Sequence, residues 1–309
     1  MSEFFTAAIL TATLASGIQL AAPFLLASLG ETVGQRSGVL NLGVDGIMLM
    51  GAFASYYTAL RTNDLRLAVL VGLAVGAGMG VATAFMSVTL RAEQGISGIG
   101  VYLFALGLTS LLFLKLVGTP MPIDQPEKLT VPFLDGLPLV GKLLRQDVLV
   151  YTAFALVPVV AFVLNRTTYG MNVRAVGENP AAADSLGVSV ARVRYSAVIV
   201  GSTLAGLAGA TLMVDVGIFQ QNITNAQGFI AVALVYFGAW RPVGVLLGSL
   251  LYGLTQALVL SWKGLGIIPV SLSDLAAAAP AVITVFALLT VARRFRQPAA
   301  LATPYTRGG

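Results

Sequence analysis

The sequence predicts an all-α, polytopic transmembrane helix bundle of about nine spans, within a range of eight to ten. Three observations predict it. Of 309 residues, 57% are hydrophobic types and only 10% are charged. A soluble domain carries roughly a quarter charged residues, so this chain cannot cover a water-facing surface, and lipid must be its main solvent. Mean hydropathy is +0.88. The apolar residues also fall into runs of roughly 20, the length a helix needs to cross the hydrocarbon core.

Nine such runs follow one another, at approximately 5–29, 38–60, 67–90, 95–117, 148–164, 196–215, 228–239, 243–262 and 274–292. The first follows Met1, Ser2, Glu3, Phe4 and Phe5, with no basic region and no small-residue cleavage site, so it reads as a retained span. The seventh is short enough for a half-helix or a re-entrant segment. Everything between the runs is connector, and the whole of 1–309 reads as a single transmembrane domain without an evident internal repeat. Gly72, Gly76 and Gly80 form a row of small residues at helical spacing, as do Gly201, Ala205 and Gly209, and Gly244 with Gly248. Such rows let backbones approach closely, and they predict a tight bundle. The connector 118–146 carries Pro120, Pro122, Pro126, Pro132 and Pro138 and should be stiff and largely non-helical.

Lysine and arginine set the orientation. With the C-terminus inside, the inner connectors hold eleven: Arg36, Arg91, Arg166, Arg174, Arg192, Arg194, Arg241, Arg293, Arg294, Arg296 and Arg307. The outer side holds seven: Arg61, Arg66, Lys115, Lys128, Lys142, Arg145 and Lys263. The bias predicts an outer N-terminus and a cytoplasmic C-terminus in a bacterial inner membrane. The net charge of +5 does not point to nucleic acid, because these residues flank apolar runs instead of lining one soluble face.

Several function classes fall away. There is no Cys, hence no disulfide or thiolate metal site, and no His, the commonest metal ligand and general base. No Gly-x-x-x-x-Gly-Lys-Ser/Thr string occurs, so no phosphate-binding loop for ATP is present. No serine-hydrolase elbow and no carboxylate pair within one span support an intramembrane enzyme.

The connector at about 165–195 is the most informative stretch. Asn179 is a good N-cap, Pro180 suits a first helical turn, Ala181, Ala182 and Ala183 are strong helix formers, and Gly187 is a natural stop. A helix of about two turns is expected between two spans. Alone it is unstable in water, so it needs a partner surface. By pattern alone it is equally an ordinary surface turn.

Ala181-Ala182-Ala183 followed by Gly187 resembles the EAA-type loop of ABC-importer permeases. The longer string from Gly170 through Arg174, Glu178, Asn179 and Pro180 to Gly187 resembles permeases for branched-chain amino acids, simple sugars and nucleosides. The stretch from Leu29 to Gly51 and the stretch from Gly228 to Gly244 are similar to nucleoside-type permeases, which work with a basic-membrane-protein-type binding lipoprotein. The matches run from about residue 20 to 255. The resemblance implies a type II ABC-importer-like fold, half of a translocation pore, and an ATPase-coupling helix built from Glu178, Asn179, Pro180, Ala181, Ala182, Ala183, Asp184 and Gly187. It also implies a second related permease, ATPase subunits that carry ATP and Mg, and an extracytoplasmic binding lipoprotein, with no cofactor on this chain. The sequence departs from the pattern at Ala181, where the family's acid often stands, while Glu178 lies three residues upstream.

Span two is interrupted by Gly38, Asn41, Gly43, Asp45 and Gly46. An acid near mid-bilayer is costly, and irregular backbone is tolerated only where it is buried or lines a cavity. Asn41 and Asp45 are therefore expected to face the bundle interior. There they either line the passage, or act structurally, Asn41 capping a broken helix and Asp45 pairing with Arg36 or Arg91. Ser97, Tyr102 and Gln256 complete the candidate substrate pathway; each is also suited to an ordinary interhelical hydrogen bond. Two alternatives stay open: a ribose-type simple-sugar ABC permease, and an ion-coupled secondary transporter that loads at Asp45.

Overall fold

The structure, a computed structural model, describes residues 7–126, 128–129, 140–291 and 296–306. Among the described residues the chain is helical throughout, without a β-strand. The helices are α1 (Ala7–Arg36), α2 (Val44–Thr62), α3 (Leu65–Ala84), α4 (Gln94–Leu116), α5 (Val140–Leu144), α6 (Val148–Arg166), α7 (Thr168–Glu178), α8 (Pro180–Ser185), α9 (Val190–Val216), α10 (Gln227–Phe237), α11 (Pro242–Gly264), α12 (Ser273–Ala277) and α13 (Ala279–Val291). A π-helical turn, Phe85–Thr89, prolongs α3.

The expectation of about nine spans is not confirmed. Among the described residues, six helices are long and apolar enough to cross a membrane: Ile9–Arg36, Leu65–Thr89, Gln94–Leu116, Val148–Arg166, Val190–Val216 and Pro242–Gly264. The chain is a multi-pass membrane protein. The other three runs fail for separate reasons. α2 has 19 residues, but Asp45, Ser55, Tyr56, Tyr57, Thr58 and Arg61 dilute its apolar character. α10 has 11 residues, about 16 Å of helix, or half a hydrocarbon core. The last run breaks at Ala278 between α12 and α13, and its end at 292 lies outside the described residues. The first run extends two turns further than expected, because Glu31, Thr32 and Gln35 are buried by neighbouring helices instead of marking an exit to water.

α9 is the axis of the bundle, with α1, α2 and α3 packed around it. Its small-residue row performs the packing expected of it. A Cβ at Gly209 would lie 1.9 Å from the Met48 carbonyl oxygen, and one at Gly201 would lie 2.7 Å from that of Gly30. These backbones touch, so dispersion and not water exclusion holds them together. The lipid-facing surface is correspondingly apolar and exposed, as at Leu103, Phe104 and Phe162.

Two ends can be told apart by contacts. One gathers Arg36, the α3–α4 and α6–α9 connections, the α10–α11 turn and residues 296–306. It is termed the Arg36 end. The described basic residues assigned to the inner connectors all collect there. The opposite end is sealed by Phe219, whose ring packs on Phe53, Tyr56 and Phe113, while Tyr56 Oη bonds Met121. Gln19 and Asp215 bond one another on the same side, and Lys128 donates to Gln19.

Candidate functional site

Two broken elements meet inside the bundle. After α1 the chain does not continue outward. Residues 37–43 turn back beside α1, and helix resumes only at Val44. Glu31 receives this returning segment. Its Oε1 accepts the Asn41 amide at 3.0 Å and Gln35 Nε2 at 3.1 Å. Gln35 Oε1 accepts Trp240 Nε1 at 2.7 Å. Gln94 Oε1 accepts the Leu40 amide at 2.8 Å. Buried backbone that has left a helix needs such partners, since none comes from lipid. Asn41, buried, accepts the Gly43 amide at 2.9 Å and so closes the turn into α2.

The second broken element is α10. It begins in mid-bundle after a turn in which Asn222, Asn225 and Ala226 all take positive φ. Asp45 terminates this end of it: its carboxylate accepts the Gly228 amide at 2.7 Å and Thr224 Oγ1 at 3.1 Å. The expected pairing of Asp45 with Arg36 or Arg91 is therefore not what the structure contains. Arg36 instead donates to the Trp240 carbonyl at 3.0 Å. A short helix leaves free amide donors at its N-terminus, and the Asp45 carboxylate takes its hydrogen bonds from there instead of from a guanidinium.

The first turn of α10 is a hub. Gly228 faces Asp45, so closely that an added Cβ would lie 2.3 Å from the Asp45 Cα. Phe229 meets Tyr102 edge-on, with ring centroids 5.4 Å apart. Gln227 faces the other way, into a crevice of about 160 Å3 shared with Gln256, Asn225, Tyr252 and Phe24. Oε1 of Gln227 and Oε1 of Gln256 are buried without a hydrogen-bond partner among the described residues. Tyr252 and Phe24 pack at 4.5 Å between centroids. Amides with free acceptors beside aromatic rings suit a polar, planar ligand. The crevice is smaller than the roughly 300 Å3 at the low end of small-molecule sites, so it has room for only one edge of such a ligand.

Among the candidate pathway residues, Asn41, Asp45 and Tyr102 thus cluster where α2, α4 and α10 meet, and Gln256 lies in the crevice across α10. Ser97 stands apart, its hydroxyl bonded to the Gln94 carbonyl of its own helix at 3.3 Å. Sequence reasoning missed Gln227 and Tyr252. Gln227 opens the apolar run at 228, which could have marked it.

The expected short helix lies at the Arg36 end as α8. Asn179 Oδ1 accepts the Ala182 amide at 3.0 Å, Pro180 occupies the first turn, and Gly187 takes φ +87°. Asn179 also ends α7, so two helices share one cap. α7 escaped sequence reasoning, although Gly170, Val173, Val176 and Gly177 show the one-sided spacing that buries its inner face. An added Cβ at Gly177 would lie 2.1 Å from the Arg36 carbonyl oxygen, so α7 rests directly on the end of α1. Ala183 is buried, and Leu186 is 85% exposed at the tip. Glu178 Oε2 lies 3.4 Å from the Ala299 amide, and Asp184 accepts Tyr305 Oη at 3.2 Å.

Residues 296–306 form a strap across this surface. Ala300 donates to the Gly177 carbonyl at 2.9 Å and Ala302 to that of Gly38 at 3.1 Å. Buried Arg194 joins both sides, donating to Ser37 O at 3.2 Å and Thr303 O at 2.9 Å. The strap thus connects α8, the returning segment and the base of α9. Among the described residues no group of acidic, His or Cys side chains is arranged to hold a metal.

Comparison with known proteins gives the family. The model of the branched-chain amino acid transport system permease component family matches residues 13–291. The chain belongs to that family. It is 33% identical over 301 residues to a guanosine ABC transporter permease of Bacillus subtilis, covering 93% of this chain and 94% of the relative. It is 34% identical over 247 residues to a nucleoside ABC transporter permease of Lactococcus lactis, covering 76% and 78%. A protein of Haloferax volcanii whose name assigns it provisionally as a glucose ABC transporter permease is 40% identical over 269 residues, covering 85% and 80%. No solved structure matches the chain.

Proposed function

We propose that this permease carries nucleosides inward as half of the pore of an ATP-driven importer. The observation that carries the reading is the match along nearly the whole length to a permease named for guanosine. The crevice of Gln227, Gln256 and Tyr252 supports it, since amides and an aromatic ring suit a base or ribose edge. The pore is completed by a second, related permease; both B. subtilis and L. lactis contribute two such relatives to the comparison. Separate ATPase subunits hydrolyse ATP and an extracytoplasmic lipoprotein delivers substrate. The Arg36 end faces the cytoplasm, as the excess of basic residues there favours. α8, with Asn179, Pro180, Ala181, Ala182 and Ala183 on its first turns and Leu186 at its tip, docks on the ATPase. Closure of the ATPase moves α8, the strap and the returning segment together, and the hub at Asp45 and Gly228 passes that movement to the crevice.

A sugar permease is the second reading, favoured by the H. volcanii relative. Uptake of labelled guanosine and uridine in cells with and without the gene separates them, with glucose and ribose as competitors and with either a protonophore or ATP depletion. Gene-dependent uptake that survives the protonophore, fails without ATP and yields only to nucleosides is the expected result. Competition by a sugar alone moves the substrate to sugars, and loss under the protonophore at normal ATP overturns the ATP-driven mechanism.

A further inference from the structure

A cavity of about 220 Å3 opens at the Arg36 end, between the turn that follows α3, the start of α9 and the strap. Arg194 is its decisive member. That side chain is 2% exposed. Its Nε and Nη1 donate to the Ser37 and Thr303 carbonyls. Its Nη2 is buried as well, and has no acceptor among the described residues. A cation taken out of water needs hydrogen bonds on every arm and a charge to answer its own. Two carbonyls supply neither the third bond nor the charge.

The helix start beside it makes the same demand. α9 has 27 residues, so its first amides stand at the positive pole of a long dipole. Val190 and Ala191, its first two residues, line the cavity. Ser189 holds the cap position and also lines it, yet its side chain makes no cap bond. The amides that a serine cap ordinarily answers are left to another acceptor. Arg91, exposed and held at a φ of +54°, brings a second guanidinium to the lining. Asp184 is the carboxylate on the lining, and it accepts Tyr305 Oη.

The occupant that fits is an anion with acceptors on several sides, able to take a guanidinium donor and helix amides together. A phosphate group has that form, and helix N-termini and arginines both bind it. The cavity lies below the roughly 300 Å3 of ordinary small-molecule sites, so it takes the phosphate group and not the body of a larger ligand. Held there, the anion would join the first turn of α9 to the arginine that carries the strap.

We propose that Arg194, Arg91 and the start of α9 at Ser189 form a binding site for a single phosphate group. The group comes either from free phosphate or from the headgroup of an anionic phospholipid. The test uses the full chain with its copurifying subunits in detergent, stripped of lipid and free of nucleotide. Labelled orthophosphate binding is measured by equilibrium dialysis, and retention of phosphatidylglycerol against phosphatidylcholine by native mass spectrometry. Arg91→Gln should weaken binding about ten-fold, as expected for one charge-assisted hydrogen bond. Ser189→Asp places a carboxylate at the cap, a position that aspartate suits. It should abolish anion binding without lowering the thermal midpoint of the anion-free protein. Phosphate bound by other subunits is common to wild type and variants and cancels in the difference. Orthophosphate binding lost in these variants assigns the free anion. Selective phosphatidylglycerol retention lost in them assigns the headgroup. Should Ser189→Asp fail to fold, Arg91→Gln, at an exposed position, carries the comparison. Binding of both ligands unchanged by the variants, or no binding of either, overturns the proposal.

Discussion

Asp45 and Gly228 lie in direct backbone contact, and the carboxylate of the first accepts the amide of the second at 2.7 Å. One broken helix thereby closes the end of the other. Gly228→Ala forces a Cβ to within 2.3 Å of the Asp45 Cα, an overpacking that costs about 1–3 kcal/mol. It should lower the thermal midpoint in detergent and reduce uptake together.

Asp45→Asn distinguishes this structural role from ion loading. Asparagine keeps an acceptor for the Gly228 amide, whereas Asp45→Ala leaves that amide and Thr224 buried without their partner, at about 1–3 kcal/mol. The expected order of both stability and uptake is therefore wild type, then Asn, then Ala. A fully stable Asn variant without any uptake would show that the carboxylate itself takes part in transport, as in an ion-coupled carrier.

Gln227 and Gln256 should behave in the opposite way. Their Oε1 atoms have no partner among the described residues, so Gln256→Ala removes no bond seen there and should leave the thermal midpoint nearly unchanged. If the crevice contacts substrate, the lost hydrogen bond of about 0.5–1.5 kcal/mol appears as a two- to tenfold rise in half-saturating substrate concentration. Competition curves with guanosine and glucose for the same variant would report which ligand uses the amide.

The helix α8, proposed above to dock on the ATPase, offers a separable pair of effects. Asn179→Ala removes the cap of α8 and costs about 1 kcal/mol locally, while Leu186→Asp changes an 85% exposed side chain without touching a buried contact. Both should weaken retention of the ATPase subunit on affinity-purified permease. Only Asn179→Ala should also lower stability. Leu186→Asp with unaltered ATPase retention and uptake would remove the tip from the docking surface.

Some of this was legible in the residues and some was not. The cap, proline, alanine run and glycine of 179–187 describe a local structure that depends on near neighbours alone, so they could be read directly. The interruption at Asn41 and Asp45 was equally plain, because polar residues inside an apolar run must be satisfied somewhere. Their partners were not legible. Thr224 and Gly228 lie some 180 residues away, and charge pairing suggested Arg36 instead. The end of the first span was misplaced where hydropathy alone decides: Glu31 and Gln35 look like an exit to water until Asn41 and Trp240 are seen to bond them. Arg194 was counted as one more positive flank, and its burial comes from a strap at the far end of the chain.

That strap supplies the most distinctive expectation. Arg194 donates to Ser37 on one side and to Thr303 on the other, so it ties the returning segment to residues 296–306. Deleting 298–309 removes the Thr303, Ala300 and Ala302 bonds and the Tyr305 contact to Asp184 at once, but leaves α8 and its cap intact. ATP hydrolysis by the assembled complex should persist while uptake per ATP falls. Arg194→Gln should give a similar loss, and the double change should be no worse than the stronger single one, because both break the same connection. Strictly additive losses would mean that Arg194 and the strap act through separate routes, and unaltered uptake per ATP in the truncated chain would leave α8 to act on the bundle through α7 and α1 alone.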